Sequence, residues 1–190
     1  MTNYPYIIAS LPELQTDFEA PGFDYPKTLD FIRSQCSARD CRYIDWLDAG
    51  FDDVNIGHYF YAKVAKSRCA FLRKYFEFDH RVRQAKVAFL EGKEYDPLEV
   101  PDGEALMDVF TTANLIERER KLDLLYWLKA DEMVQFSLFD IDVILSFIVK
   151  ARIADRWRKL DPATGAEFFK QLVQEVRGTF KGVEYDPDKK

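Results

Sequence analysis

Apolar residues recur at three- and four-residue spacing through most of this chain, and the clearest run is Ser137 to Leu160. Ile141, Leu145, Ile148, Val149, Ile153, Trp157 and Leu160 fall on one face of an α-helix. Asp140 stands where an N-cap belongs, able to accept from the first unpaired backbone N–H groups. Lys150, Arg152, Arg156, Arg158 and Lys159 crowd the C-terminal half, where the helix dipole favours cations. Val143, Ile144 and Phe147 widen the apolar stripe in the first half, which predicts a central helix touched by neighbours on more than one side. Asp142, Lys150 and Asp155 interrupt the run before it reaches the about 18 to 20 uncharged apolar residues that a membrane span needs.

Around this helix the pattern predicts others. Tyr4 to Leu14, bracketed by Pro5 and Pro12, reads as extended or as a short apolar anchor, and Thr16 to Pro26 as a polar loop. Lys27–Ser37 and Arg39–Ala49 read as short helices, the second closed by Gly50 in a left-handed cap. Gly57 to Leu90 reads as one long helix or two nearly continuous ones, with Ala65, Cys69, Leu72, Phe76, Val82, Ala85 and Phe89 inward. Gly92 and the stretch through Gly103 form the clearest internal break, a possible subdomain boundary near 92–103. Leu106–Ala113 and Leu115–Val134 are helical, with Glu117 and Lys121 placed for an i,i+4 pair. Asp161 and Pro162 start a last helix that buries Phe168, Phe169, Leu172, Val173 and Val176 and stops at Gly178, leaving 179–190 as a flexible tail. With no βαβ alternation and no repeat, residues 1–190 are expected to form a single all-α, multi-helix bundle-like domain with a short extended N-terminal segment.

Composition adjusts this picture little. Hydrophobic residues make up 47% and charged residues 32% of 190, the balance of a globular protein with a substantial core. The N-terminal residues lack a basic stretch before an apolar run, so no signal peptide is expected, and three cysteines give no disulfide framework. A reducing, cytoplasmic setting is the expectation. The net charge of −6 is unevenly distributed: Lys63 to Lys86 holds eight cations against Glu77 and Asp79, while Glu91 to Asp108 holds seven acids against Lys93. These segments either answer each other and solvate a helix face, or offer a docking surface to an acidic partner.

Reaction chemistry has few carriers. His58, His80, Cys36, Cys41 and Cys69 include no CxxC pair and too few ligands for a zinc site. Glu77 and His80 form one ExxH, whereas a di-iron bundle needs two and further glutamates. No GxGxxG, no GxxxxGK[ST] and no nucleophile elbow occurs, so no catalytic residue, cofactor or metal is expected. The aromatics Phe71, Tyr75, Phe76 and Phe78 among the cations suit burial better than nucleic-acid stacking in an acidic chain.

FLRKYFEFDHRVRQAKVAFL, ANLIERERKLDLLYWLKADEM, FDIDVILSFIVKARIADRWRKLDPATGAEFFKQLV and the opening YPYIIASLPEL together resemble a bacterial family associated with V-type ATPase gene clusters, thought to be counterparts of the C subunit, called d in eukaryotes. The positions that carry the likeness are Arg83, Lys86, Glu117, Asp123, Trp127, Asp140, Asp142, Lys150, Arg156 and Trp157. The resemblance implies a non-catalytic, all-helical subunit at the cytoplasmic face of a V-type ATPase or ATP synthase. It would link central stalk to membrane rotor ring during ion or proton transport, without inserting into the membrane or binding nucleic acid. The archaeal-type C subunits are much longer and built of three related helical units, so their docking geometry does not transfer. On this reading Arg73, Lys74, Arg81, Arg83 and Lys86 would form a partner-binding basic face. Replacing Arg81 and Arg83 by Glu would then weaken assembly and leave the melting temperature nearly unchanged. Glu117, Asp140, Asp142, Lys150 and Arg156 would form a charge network holding the core helices in register. The alternatives are a metal-dependent enzyme using its carboxylate-rich centre and a cytoplasmic helical scaffold for another acidic protein.

Overall fold

The computed structural model describes residues 2–18, 22–92, 101–160 and 162–179, and among them every regular element is an α-helix. In chain order these are α1 (Tyr4–Ala9), α2 (Tyr25–Gln35), α3 (Ala38–Ala49), α4 (His58–Val64), α5 (Ala70–Leu90), α6 (Gly103–Thr111), α7 (Leu115–Val134), α8 (Ile141–Lys159) and α9 (Pro162–Thr179). The all-α class expected from the pattern is what the chain adopts.

The central helix is the one with the clearest period. Asp140 caps α8 by accepting from the backbone N–H of Val143, and Ile144 to Val149 is buried without interruption. Such continuous burial requires neighbours around most of the cylinder, and α1, α2, α3, α5 and α7 all pack on α8. Its closest partner is α7. As numbers rise along α8 through Ser146 and Trp157, their hydrogen-bond partners fall along α7 from Ala130 to Asp123, so the two helices are antiparallel. Their short connection, 135–140, allows only that arrangement.

α5 joins two apolar clusters. Its first half contributes Phe71, Leu72, Tyr75 and Phe76 to the main core around α8. Its second half sets Phe78, Val82 and Ala85 against Leu106, Val109 and Phe110 of α6, with Leu122, Leu125 and Tyr126 of α7 at the edge. Gly92 follows the end of α5 at φ +61°, a left-handed turn open to glycine without the cost of a Cβ clash. The connection beyond it, 93–100, lies outside the described residues, as does the expected flexible tail over 180–190.

Several expectations fail for physical reasons. Tyr4–Ala9 is a helix, not an extended segment: Asn3 accepts from the Tyr6 N–H, and Pro5, taken as a strand bracket, sits in the first turn where a proline costs no hydrogen bond. α2 starts two residues early by the same device, with Asp24 as cap and Pro26 in the first turn. The stretch read as polar loop buries Phe18 and Phe23, Phe18 lying 5.5 Å from Trp127 and 5.8 Å from Trp157 between ring centres. Gly50 is right-handed, φ −77°, so it is no left-handed cap. A Cβ there would lie 2.2 Å from the Phe76 ring and 2.8 Å from Phe60. The glycine is there to let two aromatic rings approach. Finally, the apolar stripe of α9 is not buried: Phe168, Phe169, Leu172 and Val176 are exposed and Val173 is only half-buried.

Candidate functional site

α2, the α3–α4 connection, α5, α7 and α8 surround a cleft of about 640 Å3, a size that suits a small molecule. Val82, Leu122, Val149, Ile153 and Phe51 give it apolar walls; Asp53, Asp79, Glu119, Asp123 and Asp155 face Arg83, Lys86, Arg152, Arg156 and Lys159 across it.

Asp79 is the hub on the α5 side. Its carboxylate accepts from the Tyr61 hydroxyl at 2.6 Å, the Tyr126 hydroxyl at 2.8 Å and Arg83 Nε at 3.0 Å, and Arg83 reaches on to Asp53 at 2.9 Å. Burial first, and then the Asp79 charge, push the Tyr61 and Tyr126 phenols well above their ordinary range. They are hydrogen-bond donors only, never phenolate nucleophiles near neutral pH. On the α7–α8 side Asp123 accepts from Trp157 Nε1 at 2.6 Å and from Arg156 at 2.6 Å, and Arg156 also contacts Glu119 at 3.2 Å. Burial raises the Asp123 carboxyl against the pull of Arg156. Asp155 is answered by Arg158 and Lys159, whose bonds outweigh burial and hold its carboxyl below the usual range.

The expected basic face divides in two. Arg83 and Lys86 share the side of α5 that lines the cleft, while the helical period carries Arg73, Lys74 and Arg81 to the other side. Arg73 donates to the Ser67 and Cys69 carbonyls and so ties the α4–α5 connection, and Arg81 pairs with Glu77 at 3.3 Å. The acidic stretch after α5 does not answer these cations where it is described: Asp102 pairs with Lys129 and Asp108 with Lys121, both on α7. That also replaces the expected Glu117–Lys121 pair.

The expected charge network is likewise dispersed. Lys150 bonds Asp131 at 2.6 Å and Arg156 bonds Glu119 and Asp123, and these are ties between α7 and α8 that fix register. Asp140 serves as a cap, Asp142 accepts from the Cys69 thiol at 3.2 Å, and Glu117 is exposed. Burial pushes the Cys69 thiol up to about 12, which keeps it protonated and unreactive. His80 packs on Tyr61 in a tilted arrangement, 4.4 Å between ring centres, and among the described residues no three His, Cys, Asp or Glu side chains gather as a metal site. Asp79, Tyr61 and Tyr126 escaped the sequence reading because the residues that make the hub lie 18 and 47 positions apart. The one available signal was an acid inside an aromatic helix stretch, Phe76 to Phe78 followed by Asp79.

A family model described as "Protein of unknown function (DUF2764)" matches residues 91–179, slightly less than half of the chain. No curated protein and no solved structure matches the chain.

Proposed function

We propose that this chain is a non-catalytic coupling subunit of a V-type ATPase or ATP synthase, seated between central stalk and membrane rotor ring on the cytoplasmic side. The observation that carries the reading is α9: an 18-residue helix whose apolar stripe, Phe168, Phe169, Leu172 and Val176, faces outward instead of into the core. Such a stripe is costly to leave in water, and it fits the apolar face of a partner helix. The rest of the molecule supports the same use. α7 and α8 are joined by ion pairs at both Lys150 and Arg156, as befits a part that must transmit force without shearing. No helix among the described residues is long and apolar enough to cross a membrane, so attachment would run through other subunits. The metal-enzyme alternative gains nothing from the cleft, where each lining carboxylate already has a cation.

The test is recovery of the tagged chain from its own cells at low and at high salt, with bound proteins identified by mass spectrometry. Stalk and rotor-ring subunits should be recovered with the wild type and lost with the Phe168→Glu, Leu172→Glu double variant. The chain recovered alone, or with unrelated proteins, would overturn the assignment.

A further inference from the structure

The cleft holds donors that no carboxylate among the described residues answers. Its five carboxylates each meet a cation, but two of its five cations, Arg152 and Lys86, meet no carboxylate among the described residues. The Arg152 guanidinium carbon lies over Phe51, 4.4 Å from the ring centre, a contact that leaves N–H groups of the fork able to donate into the cleft. Two phenols stand in the same state. The Tyr25 hydroxyl is fully buried in the cleft wall beside the Arg152 guanidinium, and its own O–H meets no acceptor among the described residues. Tyr75 is 5% exposed, lines the cleft, and its hydroxyl has no hydrogen bond among the described residues. Arg152 is close enough that its charge bears on both phenols, easing the upward push that burial gives each of them.

Every unanswered group can therefore donate, and none of them carries a negative charge. That asymmetry selects the ligand's sign. A metal cation would have to displace arginine or lysine from a carboxylate, whereas an oxyanion would accept from four groups already in place. The apolar walls, Val82, Leu122, Val149 and Ile153, add room for a hydrocarbon or ring body beside the charged head.

We propose that this cleft is a binding site for a small organic oxyanion, its phosphate or carboxylate head held by Arg152, Tyr25 and Tyr75 with Lys86 at the rim, and its apolar body laid against Val149 and Ile153. The site is independent of the coupling role argued for α9, and either can fail without the other.

The test uses the full chain and titration calorimetry at fixed ionic strength with phenyl phosphate, benzoate and inorganic phosphate as probes. Phenyl phosphate or benzoate should bind, and inorganic phosphate more weakly because it leaves the apolar wall uncovered. Preference between the two organic probes distinguishes a phosphate from a carboxylate head. Arg152→Gln should weaken binding about tenfold or more and Tyr75→Phe by up to about tenfold, the worth of a hydrogen bond to a charged group. Arg152→Gln gives up the contact with Phe51 and the approach to Tyr25, both lining the cleft, and Tyr75→Phe gives up no hydrogen bond among the described residues, so both variants should stay folded, which circular dichroism checks. Absence of binding by every probe at millimolar concentration, or unchanged affinity in a folded Arg152→Gln protein, would overturn the site.

Discussion

Arg83 is held by two carboxylates in unlike surroundings: Asp79, whose side chain is 8% exposed, and Asp53, which is 84% exposed. The pair with Asp53 is worth little in water, whereas the buried Asp79 carboxylate depends on Arg83 and two phenols for its hydrogen bonds. Arg83→Glu should therefore lower stability by about 2 to 4 kcal/mol, because it removes a buried partner and adds a like charge beside Asp79. Arg81→Gln should cost less than about 0.5 kcal/mol, since it breaks only an i,i+4 pair with the exposed Glu77. Urea unfolding of the two single variants separates them. Equal and small effects would show that Asp79 is adequately held by Tyr61 and Tyr126 alone. Reversing both arginines should therefore cost stability at Arg83 as well as any assembly contact, for a reason visible only when Asp79 is seen to be buried. The same contrast governs Gly50. Alanine there would gain helix propensity, and φ −77° imposes no penalty, yet its Cβ would overlap the Phe76 ring at 2.2 Å. Overpacking wins: Gly50→Ala should destabilise by about 1 to 3 kcal/mol in the same urea experiment.

Helices differ in how much of their place was written in local sequence. The bounds of α7 follow from its apolar period, and those of α8 also from Asp140, a side chain that can satisfy orphan N–H groups without help from the rest of the fold; Asn114 caps α7 in the same way. The breadth of the α8 stripe likewise gave its central position. α1 and α2 were misread or shortened because proline near a helix start looks, in sequence, like proline in a loop. The distinction rests on whether Asn3 and Asp24 turn back to cap, which is a matter of backbone conformation. α9 marks another limit: its period correctly predicts an amphipathic helix, but periodicity cannot say whether the apolar face meets this chain or another. The cleft was almost illegible, since Tyr25, Tyr75, Asp79, Asp123 and Arg152 come from four helices. A direct comparison checks the structural difference between α8 and α9. Ile148→Ala in α8, fully buried, should cost about 2 to 5 kcal/mol. Leu172→Ala in α9, 57% exposed, should cost less than about 0.5 kcal/mol. A comparable loss in both would mean that α9 packs on the body of the protein, and would remove the observation on which its docking role rests.

Across the whole molecule, the buried carboxylates are each answered by several donors of different kinds, and this fixes how stability responds to pH. Asp40 is fully buried; burial alone would raise its carboxyl, but donors from Ser37, Thr2 and Tyr4 outweigh that and hold it below the ordinary value. Asp155 is lowered in the same sense, its bonds to Lys159 and Arg158 prevailing over burial. For both, the unfolded chain takes up protons more readily than the fold, so the stability they supply is complete above the unfolded carboxyl value, about 3.9, and drains away as pH falls through the lower folded values. Asp123 acts in the opposite sense, since its carboxyl is raised and the fold holds that proton more readily than the unfolded chain does. Below about pH 3.9 the Asp123 contribution is already complete and only the lowered pair still changes. The urea midpoint should therefore fall as pH drops from about 4 toward 2. Asp40→Asn can still accept through its amide oxygen but cannot titrate, so it should be less stable than the wild type at pH 7 and lose less on going to pH 2. If the variant's profile ran parallel to that of the wild type, Asp40 would not be among the groups that couple this fold to protons, and the tie it makes between α1 and α3 would have to be carried by the neutral hydroxyls alone.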